Sequence, residues 1–129
     1  MDKAITFSAP LGRLLLAILF LLAGFGKIAN PASTIEYIAS HGLPLPQLGY
    51  AIALAAEIGG GLLILVGYKT RLIAALMALF SIATAVFFHA DFADQAQMTN
   101  FLKNLAIAGG FLQLVANGAG ALSIDNRKG

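Results

Sequence analysis

The chain has 129 residues, of which 59% are hydrophobic and 11% are charged, with a formal net charge of +2. A soluble core of this size does not require so large an apolar fraction, so the composition indicates a single integral membrane domain. The absence of cysteine excludes disulfides, cysteine-held clusters and dithiol chemistry, and the basic residues form no patch dense enough to bind nucleic acid.

Four apolar segments are long enough to cross a bilayer as helices of about twenty residues. They predict an all-α fold, an antiparallel bundle of four transmembrane helices forming one domain over residues 1–129. The predicted spans are residues 9–28, 48–66, 72–88 and 104–122. Lys27 follows the first apolar stretch without a small-x-small cleavage site, so we expect this span to be retained rather than removed as a secretory signal.

The connections carry recognisable helix start and stop signals. Asn30-Pro31 is typical of an N-cap followed by proline in the first turn, and Gly42 is typical of the residue after a helix end. These signals predict a short interfacial helix between spans one and two, resting on the membrane surface. In the tight turn before span three, Gly67 is expected to end one helix and Thr70 to cap the next. We expect the loop at residues 89–101 to be partly helical.

The distribution of positive residues predicts the orientation in the membrane. One face carries Lys3, Arg13, Lys69, Arg71, Arg127 and Lys128, and the other carries Lys27 and Lys103. By the positive-inside rule, we expect a multi-pass protein of the bacterial plasma (inner) membrane with both termini in the cytoplasm. The two longer loops would then face outward.

Glu57 is the most informative residue, because a carboxylate near the middle of a span must face protein or water. Small residues share its helix face and that of Lys27, so both charges are expected to point at neighbouring helices. Arg13 is expected to reach the headgroups or to approach Glu57 from below. The candidate ligand-binding or proton-relay residues are Glu57, Lys27, His89, Lys103, Asn104 and Arg13. Each also has a structural interpretation, as an ion pair that locks the bundle, an interfacial anchor or a helix end.

The sequence offers no second type of site. No cluster of histidine and acidic residues has metal-ligand spacing, so no metal is predicted. No serine or threonine has a base within sequence reach, so the catalytic residues are unknown. The Gly59-Gly60-Gly61 triplet lies inside a span and follows no strand, and we interpret it as a packing feature.

Several short motifs, in order, resemble the DoxX family of small four-span membrane proteins. They are Ala23-Gly24-Phe25-Gly26-Lys27 in span one, Ala56-Glu57-Ile58-Gly59-Gly60-Gly61 in span two, residues 67–71 at the turn, Phe88-His89 after span three and Lys103-Asn104 in span four. The resemblance covers residues 10–115. It implies a link to quinone-coupled oxidoreductase complexes or oxidative-stress defence, and the family's recurring polar positions map onto the six candidate residues.

Three functions remain open at this stage. The first is an accessory or anchoring subunit that binds a quinone headgroup or a redox partner protein, with no covalently bound cofactor and no catalysis by this chain alone. The second is an oligomeric carrier of a small molecule or ion that uses Glu57 as its coupling group. The third is a structural scaffold whose polar residues only fix the helix register. Glycine-rich faces around Gly60 and Gly110 are compatible with packing inside one bundle or between protomers of a homo-oligomer.

Overall fold

The computed structural model describes residues 3–126, which form five helices and no strand. Arg127 and Lys128, which contribute to the predicted orientation, lie outside the described residues. The helices are α1 (Lys3–Ala29), α2 (Pro31–Ser40), α3 (Pro46–Val66), α4 (Thr70–Phe88) and α5 (Gln95–Asn117). The predicted all-α class is therefore confirmed.

Three helical segments are long and apolar enough to cross a membrane: Thr6–Ala29, Pro46–Val66 and Thr70–Phe88. They correspond to the first three predicted spans. Helix α5 is also long, because its 23 residues extend over about 34 Å. Its first turns are polar, and this lowers its average hydropathy below that of the other three.

Helix α5 begins at Gln95, nine residues before the predicted start of span four, within the loop that was expected to be partly helical. Asp94 is its N-cap, and the carboxylate accepts a hydrogen bond of 2.9 Å from the backbone N–H of Ala96. No glycine or proline interrupts residues 95–104, so the helix runs through them. Lys103 and Asn104 consequently lie within the helix. The helix ends at Asn117, before residue 122, because Gly118 adopts a φ of 75°.

The turn between α3 and α4 agrees with the sequence at Gly67 and differs at Thr70. Gly67 has a φ of 71° and ends α3, with its N–H donating to the carbonyl of Leu63 at 2.9 Å. Lys69, with a φ of 48°, occupies the N-cap position of α4, and Thr70 is the first residue of the helix. The predicted cap is therefore wrong. A side chain from the other end of the chain performs this role.

That side chain is Asp125, in the segment that follows α5. Its carboxylate accepts hydrogen bonds from the backbone N–H groups of Lys69 at 2.6 Å and Thr70 at 2.7 Å. The N–H of Ile124 donates to the carbonyl of Val66 at 3.0 Å, which aligns the segment along the turn. We call this part of the molecule, residues 66–70 and 118–126, the turn end. The opposite part, formed by α2, the end of α1 and the loop after α4, is the α2 end.

Helix α2 follows the predicted boundaries closely. It runs from Pro31 to Ser40, Asn30 is at the N-cap position, and Gly42 has a φ of 84°. The Asn30 side chain does not cap α2, since its amide donates to the carbonyl of Gly26. Ile38 is buried against the bundle, and the rest of the helix is half-buried or exposed.

The core combines small residues with a few large ones. Phe20 of α1 contacts Phe111 of α5 with ring centroids 5.6 Å apart, and Met77 packs against Gly60. Gly60 is therefore inside the bundle, whereas a Cβ at Gly59 or Gly109 would meet no atom within 4 Å. Most leucines and isoleucines of the apolar helices are exposed on the outside, as expected for a surface that lipid covers.

Candidate functional site

A cavity of about 340 Å³ lies at the α2 end, between α1, α3, α4 and α5 and closed on one side by α2. This volume is at the lower limit of known ligand pockets, which hold about 300–1,000 Å³. Most of the wall is apolar, with aromatic rings from Phe20, Phe80 and Phe88. The polar groups that reach it come from all four long helices. An apolar enclosure with a few convergent polar groups is typical of small-molecule sites.

The strongest electrostatic feature of the cavity is the ion pair between Lys27 of α1 and Glu57 of α3. The Lys27 Nζ donates a 3.0 Å hydrogen bond to Oε2 of Glu57 and lies 2.9 Å from Oε1. The Glu57 side chain is only 8% exposed, against 29% for Lys27. The contact between Nζ and Oε1 does not have the geometry of a hydrogen bond, so Oε1 accepts none. The charge of the ammonium, rather than a hydrogen bond, therefore compensates this buried carboxylate oxygen.

Close packing of α1 on α3 makes this ion pair possible. Gly24 faces α3, and a Cβ at this position would overlap the side chain of Ile58 and lie 3.3 Å from Cβ of Glu57. One turn later, the long side chain of Lys27 extends across to the carboxylate. The hydroxyl of Tyr50 donates to the Lys27 carbonyl at 2.9 Å and further ties the end of α1 to α3. The predicted inward direction of both charges is what the structure shows.

Glu57 lies in a π-helical segment, Ala55–Gly60, that interrupts α3. A π-turn is wider than an α-turn and inserts an extra residue, so it changes the direction in which nearby side chains point. Such segments occur often at functional sites. No pattern in the sequence predicted this segment. The glycine triplet, interpreted only as packing, is the one local signal at this place.

Asn104 of α5 is fixed by the polar groups of α4. Its Nδ2 donates to Oγ1 of Thr84 at 2.9 Å and to the carbonyl of Ser81 at 3.3 Å, and the Thr84 hydroxyl donates to that same carbonyl at 3.0 Å. The carbonyl can only accept, so it determines the orientation of the whole network. The Asn104 Oδ1 accepts no hydrogen bond from residues 3–126.

His89, at the end of α4, has a partner that the sequence analysis did not identify. Its Nδ1 lies 2.9 Å from Oε1 of Gln97 in the second turn of α5. An amide oxygen can only accept, so Nδ1 carries the proton and donates it. In the neutral ring, Nε2 is then the acceptor. The signal available in the sequence was weak, because Gln97 falls in the loop at residues 89–101, which was expected to be only partly helical.

Helix α2 covers the cavity from outside the bundle. Thr34, Tyr37 and Ile38 contribute to the lining. The Tyr37 ring stacks on Phe88 with centroids 5.6 Å apart, and the His41 ring lies 4.9 Å from Phe88. His41 is exposed and belongs to this aromatic contact rather than to the cavity. The covering helix is therefore held to α4 by ring contacts.

The family model described as DoxX matches residues 9–90. The chain belongs to the DoxX family. The chain is 46% identical to "Inner membrane protein YqjF" of Escherichia coli (strain K12), covering 97% of this chain and 95% of that protein. It is 38% identical to "Inner membrane protein YphA" of the same organism, over 91% and 87% of the two chains.

A third relative of this DoxX protein is more distant. "Putative oxidoreductase CatD" of Bacillus subtilis (strain 168) is 34% identical, over 67% of this chain and 63% of that protein. No solved structure matches the chain significantly. The family match includes Lys27, Glu57 and His89, whereas Lys103 and Asn104 follow the matched segment.

Five of the six candidate residues of the DoxX chain line this cavity: Lys27, Glu57, His89, Lys103 and Asn104. The sixth, Arg13, lies at the turn end. Its guanidinium donates to the carbonyls of Ala119 at 3.0 Å, Leu65 at 2.8 Å and Ile64 at 3.2 Å, and also to that of Leu122.

Arg13 is 1% exposed, so it neither reaches headgroups nor approaches Glu57. That expectation was wrong. The carbonyls of Leu65, Ala119 and Leu122 accept no backbone hydrogen bond within residues 3–126 and bind the guanidinium instead. Arg13 therefore joins three segments of the chain and forms no part of the cavity.

The cavity groups can bind and orient a polar headgroup. Within residues 3–126, no group of three histidine or acidic side chains lies close enough to hold a metal ion. The side chains at the cavity supply two ammonium donors, an ion-paired carboxylate, an imidazole and an amide. This set is suited to hydrogen bonding with a small ligand.

Proposed function

We propose that this DoxX protein is an accessory or anchoring subunit of a membrane redox system and that its cavity binds the ring of a lipid-soluble, quinone-type molecule. The observation that carries the proposal is the convergence of Lys27, Glu57, His89 and Asn104 on one apolar cavity. A flat ring fits among Phe20, Phe80 and Phe88, and its oxygens meet the polar groups. The chain itself performs no catalysis in this proposal.

The redox part of the proposal draws on the name of a relative, "Putative oxidoreductase CatD". The chain has no cysteine and no redox-active pair of its own, so electrons would pass between the bound molecule and a partner protein. Such a partner would dock at the α2 end, where the covering helix and the loop before α5 surround the cavity.

The proposed topology has four spans, with both termini in the cytoplasm and α2 on the outer membrane surface. Helix α5 is then the fourth span, and its polar first turns, with Gln97, Asn100 and Lys103, lie in the interface. The cavity opens in the outer half of the bilayer in this arrangement. Lipid-soluble molecules would reach it from the membrane and partner proteins from outside.

A purely structural role is the alternative that one observation favours, since Glu57 is already paired with Lys27 and a locking ion pair needs no ligand. The two functions differ in what the purified protein retains. Native mass spectrometry in mild detergent, followed by extraction and identification of bound small molecules, distinguishes them. The matched variants are Asn104→Leu, which alters the cavity, and Asn117→Leu, which alters the exposed end of the same helix.

We expect the wild type and the Asn117→Leu variant to retain a quinone-type molecule and the folded Asn104→Leu variant to lose it. Circular dichroism and a thermal unfolding curve establish that all three samples are folded. An empty cavity in all three, at full folding, would overturn the proposal and support the structural role.

A further inference from the structure

The cavity presents free hydrogen-bond acceptors. A quinone has no donor and therefore cannot bind to them. Two atoms at the cavity accept no hydrogen bond from residues 3–126: Oδ1 of Asn104 and, in the neutral ring, Nε2 of His89. Both belong to half-buried side chains that line the cavity. Oε1 of Glu57 also accepts no hydrogen bond, but it lies 2.9 Å from the Lys27 ammonium and is itself buried.

The acceptor character of these atoms follows from the way their neighbours are fixed. Both N–H bonds of the Asn104 amide are taken by Thr84 and by the Ser81 carbonyl, which leaves only the oxygen for a ligand. The Gln97 amide oxygen accepts a hydrogen bond from Nδ1–H of His89, so Nε2 of the neutral ring keeps a free lone pair. With the imidazole neutral, neither side chain can present a donor without breaking a hydrogen bond that it already has.

The donor groups at the cavity do not outweigh its free acceptors. The Lys27 ammonium is already paired with Glu57 at 2.9 and 3.0 Å. Lys103 lines the cavity, but it is an exposed residue of α5. The buried Ser81 hydroxyl has no partner, and a hydroxyl can donate or accept. A ligand carbonyl would satisfy the donors only and leave the Asn104 and His89 acceptors desolvated, which is costly. A ligand hydroxyl donates to an acceptor and still accepts from an ammonium.

We infer that the cavity selects a ligand that donates hydrogen bonds through ring hydroxyls, a phenol or a hydroquinone, over the corresponding carbonyl form. The inference rests on the proposed function, since it assumes that the cavity binds a ring molecule. It assigns Gln97 as a positioning residue, which holds His89 in the tautomer that accepts. In a quinone-coupled system, this protein would hold the reduced form.

Isothermal titration calorimetry under anaerobic conditions tests the inference with three matched probes. They are a 1,4-benzoquinone with a short alkyl tail, its hydroquinone and the dimethyl ether of that hydroquinone, each titrated into protein in detergent micelles and into empty micelles. We expect the hydroquinone to bind at least about tenfold more tightly than the quinone, which corresponds to about 1.4 kcal/mol. The ether has the same ring without donors and is expected to bind no better than the quinone.

A variant pair tests the mechanism of selection. Gln97→Leu removes the acceptor that fixes His89, and Gln95→Leu changes an exposed glutamine in the first turn of the same helix. We expect Gln97→Leu to reduce the preference for the hydroquinone. It should also change the ratio of the Nδ1–H and Nε2–H tautomers of neutral His89 in ¹⁵N NMR spectra. Gln95→Leu should match the wild type in both measurements. Equal or tighter binding of the quinone would overturn the inference and leave the proposed function standing. Binding of none of the probes would overturn both.

Discussion

Lys27 and Glu57 lie 30 residues apart in the sequence, and yet the lysine ammonium is within 3.0 Å of both carboxylate oxygens. The two side chains meet because Gly24 lets α1 approach α3 closely and because the π-helical segment orients Glu57. The pair forms one wall of the cavity. It is therefore the place where the stability and the proposed binding of this protein are most directly coupled.

Substitution of Glu57 by glutamine should destabilise the protein, because it leaves the Lys27 ammonium without a counter-ion. Loss of one partner of a fully buried ion pair costs about 3–5 kcal/mol, and we expect a smaller loss here because Lys27 is 29% exposed. The double variant Lys27→Met, Glu57→Leu should recover most of the stability, since an apolar pair needs no compensation. Thermal unfolding in detergent measures both. A double variant as unstable as Glu57→Gln would contradict this explanation.

Replacement of Arg13 by methionine should lower the free energy of unfolding by several kcal/mol. The carbonyls of Ala119, Leu65 and Leu122 lose their donor, whereas that of Ile64 keeps the N–H of Gly67, and an unsatisfied buried polar group costs about 1–3 kcal/mol. Arg13→Lys should be intermediate, because an ammonium has three donors and no fork geometry. The exposed Arg71→Met is the control. If Arg13→Met unfolded at the same temperature as this control, Arg13 would not stabilise the contact between α1, α3 and the loop after α5.

The cap that Asp125 provides should make stability depend on pH. Burial alone would raise the pKa of Asp125, but the backbone N–H groups of Thr70 and Lys69 and the charge of Arg13 outweigh it and hold the pKa below its usual value. The stabilisation is then present above the unfolded pKa of about 3.9 and is lost as the pH falls through the folded value.

Comparison of the wild type with Asp125→Asn tests this dependence. Thermal unfolding at neutral pH should show a loss of about 0.5–1.5 kcal/mol, because the asparagine amide keeps one acceptor oxygen and loses one of the two hydrogen bonds. The difference should shrink toward zero below about pH 4. Asp91→Asn, at an exposed site remote from the turn end, should match the wild type throughout. A difference that persisted unchanged at low pH would argue against the carboxylate as the cap.

The two glycines near the end of α1 should respond in opposite ways to alanine. Gly24→Ala places a Cβ against Ile58 and Glu57, so we expect a loss of about 1–3 kcal/mol from overpacking. Gly26→Ala meets no atom within 4 Å and should stabilise the helix by about 0.5–1 kcal/mol. Unfolding curves of the two variants give the comparison. Equal effects at both positions would mean that α1 and α3 are not closely packed here.

The proposed four-span topology predicts where single cysteines can be labelled. The chain has no cysteine, so Ala93→Cys and Ala121→Cys, both at exposed positions, need no further changes. A membrane-impermeant maleimide added to intact cells should label Ala93→Cys directly and Ala121→Cys only after permeabilisation. Labelling of both from the same side would show that α5 does not cross the membrane.

The sequence by itself determined the family of the chain, its all-α class, three apolar helices and the inward direction of Lys27 and Glu57. These features depend on local properties, namely hydropathy over a window of about twenty residues and the helical period. The positions of Gly42 and Gly67 were equally clear, because a glycine with positive φ at a helix end has a local signature.

Only the tertiary structure decided which partner each polar group has. Arg13 bonds to backbone carbonyls up to 109 residues away, and Asp125 caps a helix that begins 55 residues earlier. Any residue type supplies a carbonyl or an N–H, so no side-chain pattern in the sequence marks such partners. The same holds for Gln97 and for the π-helical segment. Their positions result from the packing of whole helices, which brings together groups that are unrelated along the chain.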